Sequence, residues 1–406
     1  MSLSRTTSKH NYRSFLFHAA FLAFAQNFID IDTVIPSMIV EAGGGAVHVG
    51  MMTAIMFGGS SLTQLLFAPF ISNYSFKKKF LLLGINSRIL SLLVLGLILI
   101  FSYKITGSYI VWVILLFLTI FSLGGAFANI SYTDILGKSI VQSSRKRFLS
   151  LKLVISGIIL FFSSLVARQI LTSYQYPNSY AYMYFIAFGA LLIASLGFWK
   201  VRETIPSKME IKSVSRFFVL IKNELHQNPR LKYFLGFVNT MGVSLTLLPF
   251  IMLYAKENYF AQSAETGMYL LYKVVGGVVM GFVLYLISGR YKYKYLLYGN
   301  TFLVLLIPMI ILLSSSTPSF TAIFFIGGMI YSIYSISLNG ILLEISGNTN
   351  RALYTGIAGA GSIIPAIFPL IGGQIIKDYG FSLFLTIFIL IIICSIFFIY
   401  KLNCAK

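Results

Sequence analysis

The chain has 406 residues, of which 57% are hydrophobic and 10% are charged, and its formal net charge is +20. Soluble domains carry about 25% charged residues, so this composition excludes a soluble globular protein and indicates an integral membrane protein. A membrane-spanning helix needs about 20 apolar residues, so the chain accommodates about twelve spans and no further soluble domain. Its two cysteines and four histidines do not cluster, and we therefore expect no disulfide framework, no metal site and no cofactor.

Apolar stretches of spanning length follow one another along the chain, and we number them spans 1 to 12. They cover residues 14–40, 48–72, 80–102, 109–136, 148–173, 180–201, 231–256, 264–288, 296–314, 319–345, 353–376 and 380–402. Span 1 carries two aspartates, is too long for the apolar region of a signal peptide and lacks a small-residue cleavage site, so we expect it to be retained. An even number of spans places both termini on one side of the membrane.

The lysines and arginines alternate by loop. They occupy the amino-terminal tail and the loops after spans 2, 4, 6 and 8, whereas the loops after spans 1 and 9 have none. The positive-inside rule therefore predicts a multi-pass protein with both termini in the cytoplasm, which we place in a bacterial cytoplasmic membrane. The same alternation accounts for the positive charge without a nucleic-acid partner.

The longest polar stretch, residues 202–230, divides the chain into an amino-terminal bundle, residues 1–201, and a carboxy-terminal bundle, residues 231–406. Each bundle has six spans. Apolar residues recur at helical spacing among the lysines and arginines of the divider, which is typical of an amphipathic helix on the inner leaflet. A basic, solvated cytoplasmic linker is the alternative.

Two pairs of segments repeat weakly at an offset of about half the chain. K-K-K-F-L-L-L-G-I-N at residues 77–86 corresponds to Y-K-Y-K-Y-L-L-Y-G-N at residues 291–300, and residues 147–159 correspond to 351–364. Twelve spans, cytoplasmic termini, related halves and a basic loop after span 2 resemble the major facilitator superfamily. The resemblance implies an all-α integral membrane protein in which twelve transmembrane helices form two pseudo-symmetric six-helix bundles, the MFS fold.

The local signatures of that superfamily are degraded. Its G-x-x-x-D-R-x-G-x-R-R pattern falls on P-F-I-S-N-Y-S-F-K-K-K, residues 69–79, in which Lys78 and Lys79 match the basic pair. Pro69 stands in place of the glycine and Asn73 in place of the aspartate, so the salt bridge of that aspartate is not carried over. Span 4 lacks the arginine of proton-coupled members, and span 5 lacks the glycine-proline pattern of the antiporters. The resemblance therefore identifies the superfamily but no particular subfamily.

Span 1 contains N-F-I-D-I-D-T-V-I-P at residues 27–36, with two carboxylates and a proline that are costly inside a membrane. One polar stripe follows helical spacing and consists of Gln26, Asp30, Thr33 and Ser37. Asp32 lies about 200° round from Asp30 unless the helix is broken. Pro36 would break it, because the missing N–H leaves the carbonyl of residue 32 without its helical donor.

These two carboxylates are the candidates for proton coupling. Asp30 is the ionisable member of the stripe, and a carboxyl group in a dehydrated cavity favours its neutral form and regains its charge when water enters. Asp32 is then a structural residue beside the kink. The alternatives are that Asp32 titrates instead, or that both carboxylates have structural partners.

The resemblance implies that spans 1, 4, 7 and 10 surround the transport pathway. Beyond the span 1 stripe, the polar residues proposed to line the substrate cavity on the other three spans are Asn129, Thr133, Asn239, Thr246, Tyr331, Ser335 and Asn339. Each could instead be an interhelical hydrogen-bonding residue. Lys273 on span 8 completes the cavity set. Its partner is a span 1 carboxylate, an anionic substrate group, or the membrane surface near Lys256, whereas Arg88 on span 3 is assigned a structural pairing.

The resemblance also implies a cytoplasmic gate. Its proposed members are Lys78, Lys79, Asp134, Arg147, Glu344 and Arg351. Asp134 and Glu344, at the cytoplasmic ends of spans 4 and 10, are expected to pair with Arg145, Arg147 or Arg351 and to latch an outward-open state. Solvated helix ends are the alternative.

We interpret the chain as a monomeric secondary active transporter that moves a small organic solute by alternating access and is coupled to protons. Its partners are the solute, protons and membrane lipids. An enzyme is disfavoured because nucleophile, base and metal-ligand groups do not cluster. A passive facilitator or channel, and a non-transporting receptor or assembly factor on the same fold, remain as alternatives. An acid in span 1 recurs in the drug exporters of the superfamily, so the resemblance favours export of an amphipathic or cationic solute, whereas Lys273 would suit an anion.

Overall fold

A computed structural model describes residues 3–59, 67, 70–71, 73–102, 109–207, 214–287, 291–314, 316–346, 357–359 and 361–402. In this part of the chain, eleven helical stretches are long and apolar enough to cross a membrane, and the shorter apolar helix Ala46–Gly58 lies in span 2. The chain is therefore an all-helical, multi-pass membrane protein, as the sequence predicts.

Several helices extend beyond the predicted spans. Spans 4 and 5 have 31 and 32 residues and are thus about 45 to 50 Å long, against about 30 Å for the hydrocarbon core. The helices, in chain order, are Arg5–Gln26 and Val34–Glu41 (span 1), Ala46–Thr53 (span 2), Lys78–Ile100 (span 3), Tyr109–Ser139 (span 4), Gln142–Ser173 (span 5), Asn178–Lys200 (span 6), Val214–Gln227, Pro229–Met241 and Leu247–Tyr259 (span 7), Ser263–Leu286 (span 8), Tyr293–Leu313 (span 9), Ser319–Ser346 (span 10), Ile363–Tyr379 (span 11) and Phe381–Lys401 (span 12).

The chain divides into two compact units. The first unit comprises Met1–Asp30 and Gly59–Phe217, and the second comprises Ile31–Gly58 and Phe218–Lys406. Residues 31–58, which belong to the predicted amino-terminal bundle, thus pack with the second unit. The two points of division lie inside span 1, after Asp30, and inside span 2, at the end of the π-helical turn Ala54–Gly58. The helix predicted within the central divider is present as Val214–Gln227.

The core of the first unit is rich in aromatic side chains. Phe15 of span 1 packs edge-on against Tyr132 of span 4, Phe148 of span 5 and Phe198 of span 6, at ring-centroid distances of 5.5, 6.3 and 6.1 Å. Edge-to-face pairs of this kind add to the stabilisation from burial. The side chain of Asn11 donates to the carbonyl of Arg202 and accepts from its N–H. These contacts join both ends of the unit's sequence.

In the second unit, glycines allow helix backbones to approach closely. A methyl group at Gly276 of span 8 would collide with the carbonyl of Phe325 on span 10, and one at Gly328 of span 10 would collide with the carbonyl of Lys273. Span 2 approaches span 11 in the same way at Gly50 and Gly373. Small residues at helix interfaces are the usual means of packing in membranes. This contact between spans 8 and 10 includes the backbone of Lys273 and therefore fixes its position.

Candidate functional site

Span 1 is broken at its two aspartates. A 3₁₀ turn, Asn27–Ile29, ends at Asp30, whose backbone is extended (φ −64°, ψ 127°), and helix resumes at Val34. Pro36 is the third residue of the new segment, where a missing N–H costs nothing. Its ring would clash with the carbonyl four residues earlier, at Asp32, if the helix were continuous. The break therefore lies about one helical turn before Pro36, at the residues with which the proline ring would clash.

Because of this break, the predicted stripe does not form one continuous helical face. Gln26 is exposed, Asp30 is half-buried, and both Thr33 and Ser37 are fully buried. The hydroxyl of Ser37 lies 2.8 Å from that of Thr266 on span 8. Ser37 thus has the interhelical hydrogen-bonding role that was the alternative to a place in the cavity.

Asp32 and Lys273 form an ion pair inside the second unit. Lys273 Nζ lies 2.5 Å from Asp32 Oδ2, and the two side chains are 15% and 11% exposed. Lys273 is ten residues from the start of the span 8 helix, about 15 Å along its axis. Of the partners considered for Lys273, the structure brings it to a span 1 carboxylate. Removing one member of such a buried pair costs about 3 to 5 kcal/mol, because the other charge is left uncompensated.

A second ion pair joins the end of span 1 to span 7. Lys256, which is buried, pairs with Glu41 and also donates to the carbonyl of Ala261 at 3.0 Å. The hydroxyl of Ser263, the first residue of the span 8 helix, donates to both carboxylate oxygens of Glu41 at 3.1 and 3.2 Å. Sequence reasoning missed Glu41 as a site residue, because its partner is 215 positions away and neither residue belongs to a motif.

Three polar contacts therefore hold the segment Val34–Glu41 and its preceding turn to spans 7 and 8. From the middle of the span to its end they are Asp32 with Lys273, Ser37 with Thr266, and Glu41 with Lys256. All of them lie within the second unit. Their arrangement can respond to proton binding, because two of the three depend on a carboxylate charge.

The predicted cavity residues of spans 4 and 10 stand at accessible positions. Asn129, Thr133 and Asn339 are exposed, Ser335 is half-buried, and Tyr331 is 56% exposed. Thr133 donates to the carbonyl of Asn129 at 2.9 Å, and Asn339 to that of Ser335 at 2.8 Å. Such bonds to the preceding turn satisfy the side chain without fixing it to another helix.

The predicted cavity residues of span 7 have structural partners instead. The Asn239 amide donates to the carbonyls of Leu235 and Gly361 at 2.9 and 2.6 Å, and its oxygen accepts the N–H of Ile364 at 2.9 Å. Asn239 thereby caps the first turn of span 11. Thr246 is buried at the end of the 3₁₀ turn Gly242–Thr246 and donates to the carbonyl of Val243 at 2.8 Å.

The predicted gate residue Asp134 has lysine partners rather than arginine partners. Lys77 lies 3.1 Å and Lys138 2.9 Å from its carboxylate, and the Ser207 hydroxyl donates to it at 2.7 Å. Lys138 also pairs with Glu203 at 2.7 Å. The expected pairing with Arg145 or Arg147 is wrong. The carboxylate of Asp134 pairs instead with Lys77, in the loop after span 2, and with Lys138, on span 4 itself.

The remaining gate residues are distributed as follows. Arg145 donates to the carbonyls of Ile140 and Gly137 at the end of span 4. Lys78 donates to the carbonyls of Trp199 and Val201 at 2.7 and 2.8 Å. Lys79 and Arg147 are exposed, Glu344 is half-buried, and Arg351 lies outside the described residues. The lysine network thus ties the ends of spans 3, 4 and 6 together within the first unit.

Eleven helical stretches of spanning length in the described part of the chain, with a broken first span and charged pairs buried between helices, define a polytopic membrane protein with ionisable groups inside its spans. The sequence model of the Major Facilitator Superfamily matches residues 16–362, which is most of the chain. The chain therefore belongs to the major facilitator superfamily and is a transporter of that family.

Solved structures agree with this assignment. A mutant of the nucleoside transporter NupG is similar with a TM-score of 0.67 at 12% identity, over 96% of this chain and 98% of that one. A D-xylose-proton symporter is similar with a TM-score of 0.68, also at 12% identity, over 96% of this chain and 97% of that one. At this identity the similarity shows the fold alone. No curated protein has a matching sequence.

Proposed function

We propose that this transporter is a secondary active carrier that moves a small organic solute by alternating access and uses the proton gradient. The observation that carries the proposal is the ion pair between Asp32 and Lys273, held between spans 1 and 8 with both side chains largely buried. Ionisable residues inside a membrane are costly, and in transporters they mark ion pathways.

Proton binding would act on this pair directly. A proton on Asp32 removes the negative charge and leaves the Lys273 ammonium without it in a poorly solvated position. The attraction between spans 1 and 8 then weakens, so protonation and the release of the segment Val34–Glu41 from span 8 are thermodynamically linked. The break at residues 30–33 allows that segment to move without bending Arg5–Gln26. This is the coupling device that we assign to the carrier.

Asp32 replaces Asp30 as the first candidate for the coupling carboxylate, because its contact with a cation inside the span is defined. Asp30 stays the second candidate, since it lies at the end of the 3₁₀ turn next to the break and is half-buried. For the solute, we propose contacts with the accessible polar residues Asn129, Thr133 and Asn339. The similar structures offer precedents on this fold, one described as a nucleoside transporter and the other as a proton symporter of D-xylose.

The test is transport by purified protein in proteoliposomes, with and without an imposed pH gradient and a protonophore. The solutes are uridine, D-xylose, lactate, glycerol 3-phosphate and choline. The wild type is expected to accumulate at least one of them when the gradient is imposed and to lose accumulation with the protonophore. Equal uptake under all conditions would instead indicate the passive facilitator.

Variants then separate the two carboxylates. Asp32→Asn keeps size and hydrogen bonding but cannot titrate, so we expect it to lose gradient-driven accumulation and to keep solute exchange. Asp30→Asn is expected to keep both. Asp378→Asn, at an exposed position of span 11, is the matched control. Accumulation that survives in Asp32→Asn and is lost in Asp30→Asn would transfer the role to Asp30.

A further inference from the structure

We propose that the second unit binds an anionic phospholipid of the cytoplasmic leaflet at the adjoining ends of spans 9 and 12. The lipid phosphate binds two lysines and two tyrosines, Lys294, Tyr298, Tyr400 and Lys401, which we call the Lys–Tyr cluster. The acyl chains lie along the exposed faces of the two spans. Other spans than these form the proposed proton-coupling pair, so the lipid site goes beyond the proposed function.

The Lys–Tyr cluster is centred on one aromatic ring. Lys294 Nζ lies 4.8 Å from the centroid of the Tyr400 ring and donates to the Tyr400 carbonyl at 3.4 Å. It also lies 5.9 Å from the ring centroid of Tyr298, one helical turn along span 9. Lys401 Nζ lies 5.9 Å from the same Tyr400 ring. Tyr400 is 63% exposed and Lys401 is exposed, so the cluster is open to lipid headgroups.

The first unit shows what compensates lysines at the corresponding place. The segments that begin spans 3 and 9 correspond in the internal repeat. At the start of span 3, the carboxylate of Glu203, which follows span 6, accepts the N–H groups of Lys77 and Lys78 at 2.8 Å each. Lys78 Nζ donates to carbonyls at the end of span 6, as Lys294 does at the end of span 12. The two units therefore share this arrangement of lysine and helix end.

The second unit has no counterpart of Glu203. Residues 379–406 contain neither aspartate nor glutamate, and the first turn of span 9 has no acidic residue. On this side of spans 8 to 12 the sequence has one acid, Glu344, against six cations. The six are Arg290, Lys292, Lys294, Arg351, Lys401 and Lys406. This end of the second unit therefore has an excess of positive charge where the first unit has its own carboxylate.

Apolar and aromatic side chains continue from the cluster along the exposed faces of both spans. They recur at intervals of three, four or seven residues, so each set lies on one face of its helix. The members, which are 47% to 63% exposed, are Leu390, Ile393 and Phe397 on span 12 and Tyr295, Phe302 and Met309 on span 9. An acyl chain gains from contact with these faces, whereas a soluble anion does not.

A phospholipid combines both chemistries in one molecule. Its phosphate offers the negative charge that the lysines lack, and basic residues between helix ends on the cytoplasmic side are a known means of binding anionic headgroups. Tyrosine rings favour the level of the headgroups, and the lysine stems can follow the apolar surface to reach it. A zwitterionic headgroup carries its own ammonium, which the two lysines repel. The site therefore selects an anionic lipid.

The test is the thermal unfolding midpoint of the purified protein in mixed micelles that contain phosphatidylglycerol or phosphatidylcholine with the same acyl chains. A ligand that binds the folded state raises the midpoint. We expect phosphatidylglycerol to raise it by several degrees more than phosphatidylcholine does. Equal midpoints with the two lipids would overturn the proposal. A rise of the same size with inorganic phosphate would assign the cluster to a soluble anion and would overturn it too.

Charge variants connect the response to the cluster. Lys294→Gln combined with Lys401→Gln is expected to abolish the phosphatidylglycerol-specific rise, whereas arginine at both positions keeps the charge and should preserve it. The matched control, Lys9→Gln with Arg13→Gln, removes two charges from exposed positions on the same side of the membrane and should keep the rise. An equal loss in the control would show unspecific attraction to anionic micelles, and the proposal would be wrong.

A single variant and a second readout cover the case in which the double variant does not fold. Lys294 also contacts the end of span 12, whereas Lys401 is the exposed last residue of that helix, so Lys401→Gln should fold normally. In native mass spectrometry the wild type should retain phosphatidylglycerol several-fold more than phosphatidylcholine, and Lys401→Gln should reduce that preference. An unchanged preference in Lys401→Gln would reject the site. Neither readout uses a solute or a pH gradient, so the outcome is independent of the proposed transport.

Discussion

The contact between spans 8 and 10 predicts a sharp difference between two glycines of the same helix. A methyl group at Gly276 would meet the backbone of Phe325, 2.8 Å from its carbonyl carbon and 3.1 Å from its Cα, whereas one at Gly281 would meet nothing within 4 Å. Alanine is favoured over glycine in a helix by about 1 kcal/mol. Overpacking costs about 1 to 3 kcal/mol, and backbone atoms cannot turn aside as a side chain can.

Gly276→Ala should therefore be less stable than Gly281→Ala by about 1 to 3 kcal/mol, the full cost of overpacking, since both gain the same helix propensity. The assay is the unfolding midpoint of both purified variants in the same detergent. Gly276 lies three residues from Lys273 on the same helix face. Separating the helices would displace the backbone of Lys273, which also lies in this contact, and so disturb its ion pair with Asp32; Gly276→Ala should therefore reduce transport as well. Equal midpoints for the two variants would refute the close approach of spans 8 and 10.

Three further predictions follow from other contacts. Lys273→Met should lower the free energy of unfolding by about 3 to 5 kcal/mol, and a second change, Asp32→Asn, should restore most of it; additive losses in the unfolding midpoints would contradict the ion pair. Asn239→Ala should cost about 1 kcal/mol by removing the cap of span 11, and an unchanged midpoint would show that the cap is dispensable. Cysteines at Ser75 and Ser144, with native Cys404 replaced, should be shielded from an impermeant thiol reagent in intact cells; labelling from outside would reverse the orientation.

The number and type of the spans could be predicted from the sequence because length and apolarity suffice for a membrane helix. The break in span 1 could also be predicted, because in a continuous helix the ring of Pro36 would clash with the carbonyl of residue 32. The arrangement of the stripe from Gln26 to Ser37 could not be predicted in this way, because a period of 3.6 residues applies only while the helix is continuous. Residues 30–33 are not helical, so the residues before and after them do not share one helical face.

The partners of charged residues were predicted less well than the helices. Glu41 and Lys256 are brought together by the packing of spans 1 and 7, and no local pattern in either span encodes that contact. For Asp134 the resemblance suggested arginines, whereas Lys138 lies one helical turn away on the same span. Sequence spacing identifies which charges are costly, and the tertiary fold decides what compensates them.

The most direct test of the central claim is an infrared difference spectrum of the carboxyl stretch, recorded while the pH is changed and without any solute. The chain has eleven aspartates and glutamates that contribute to such a spectrum, so we expect one component of the titrating carboxyl band to be present in the wild type and in Asp30→Asn and absent in Asp32→Asn. An unchanged spectrum in Asp32→Asn, or a component that disappears only in Asp30→Asn, would contradict the assignment of proton coupling to the pair of Asp32 and Lys273.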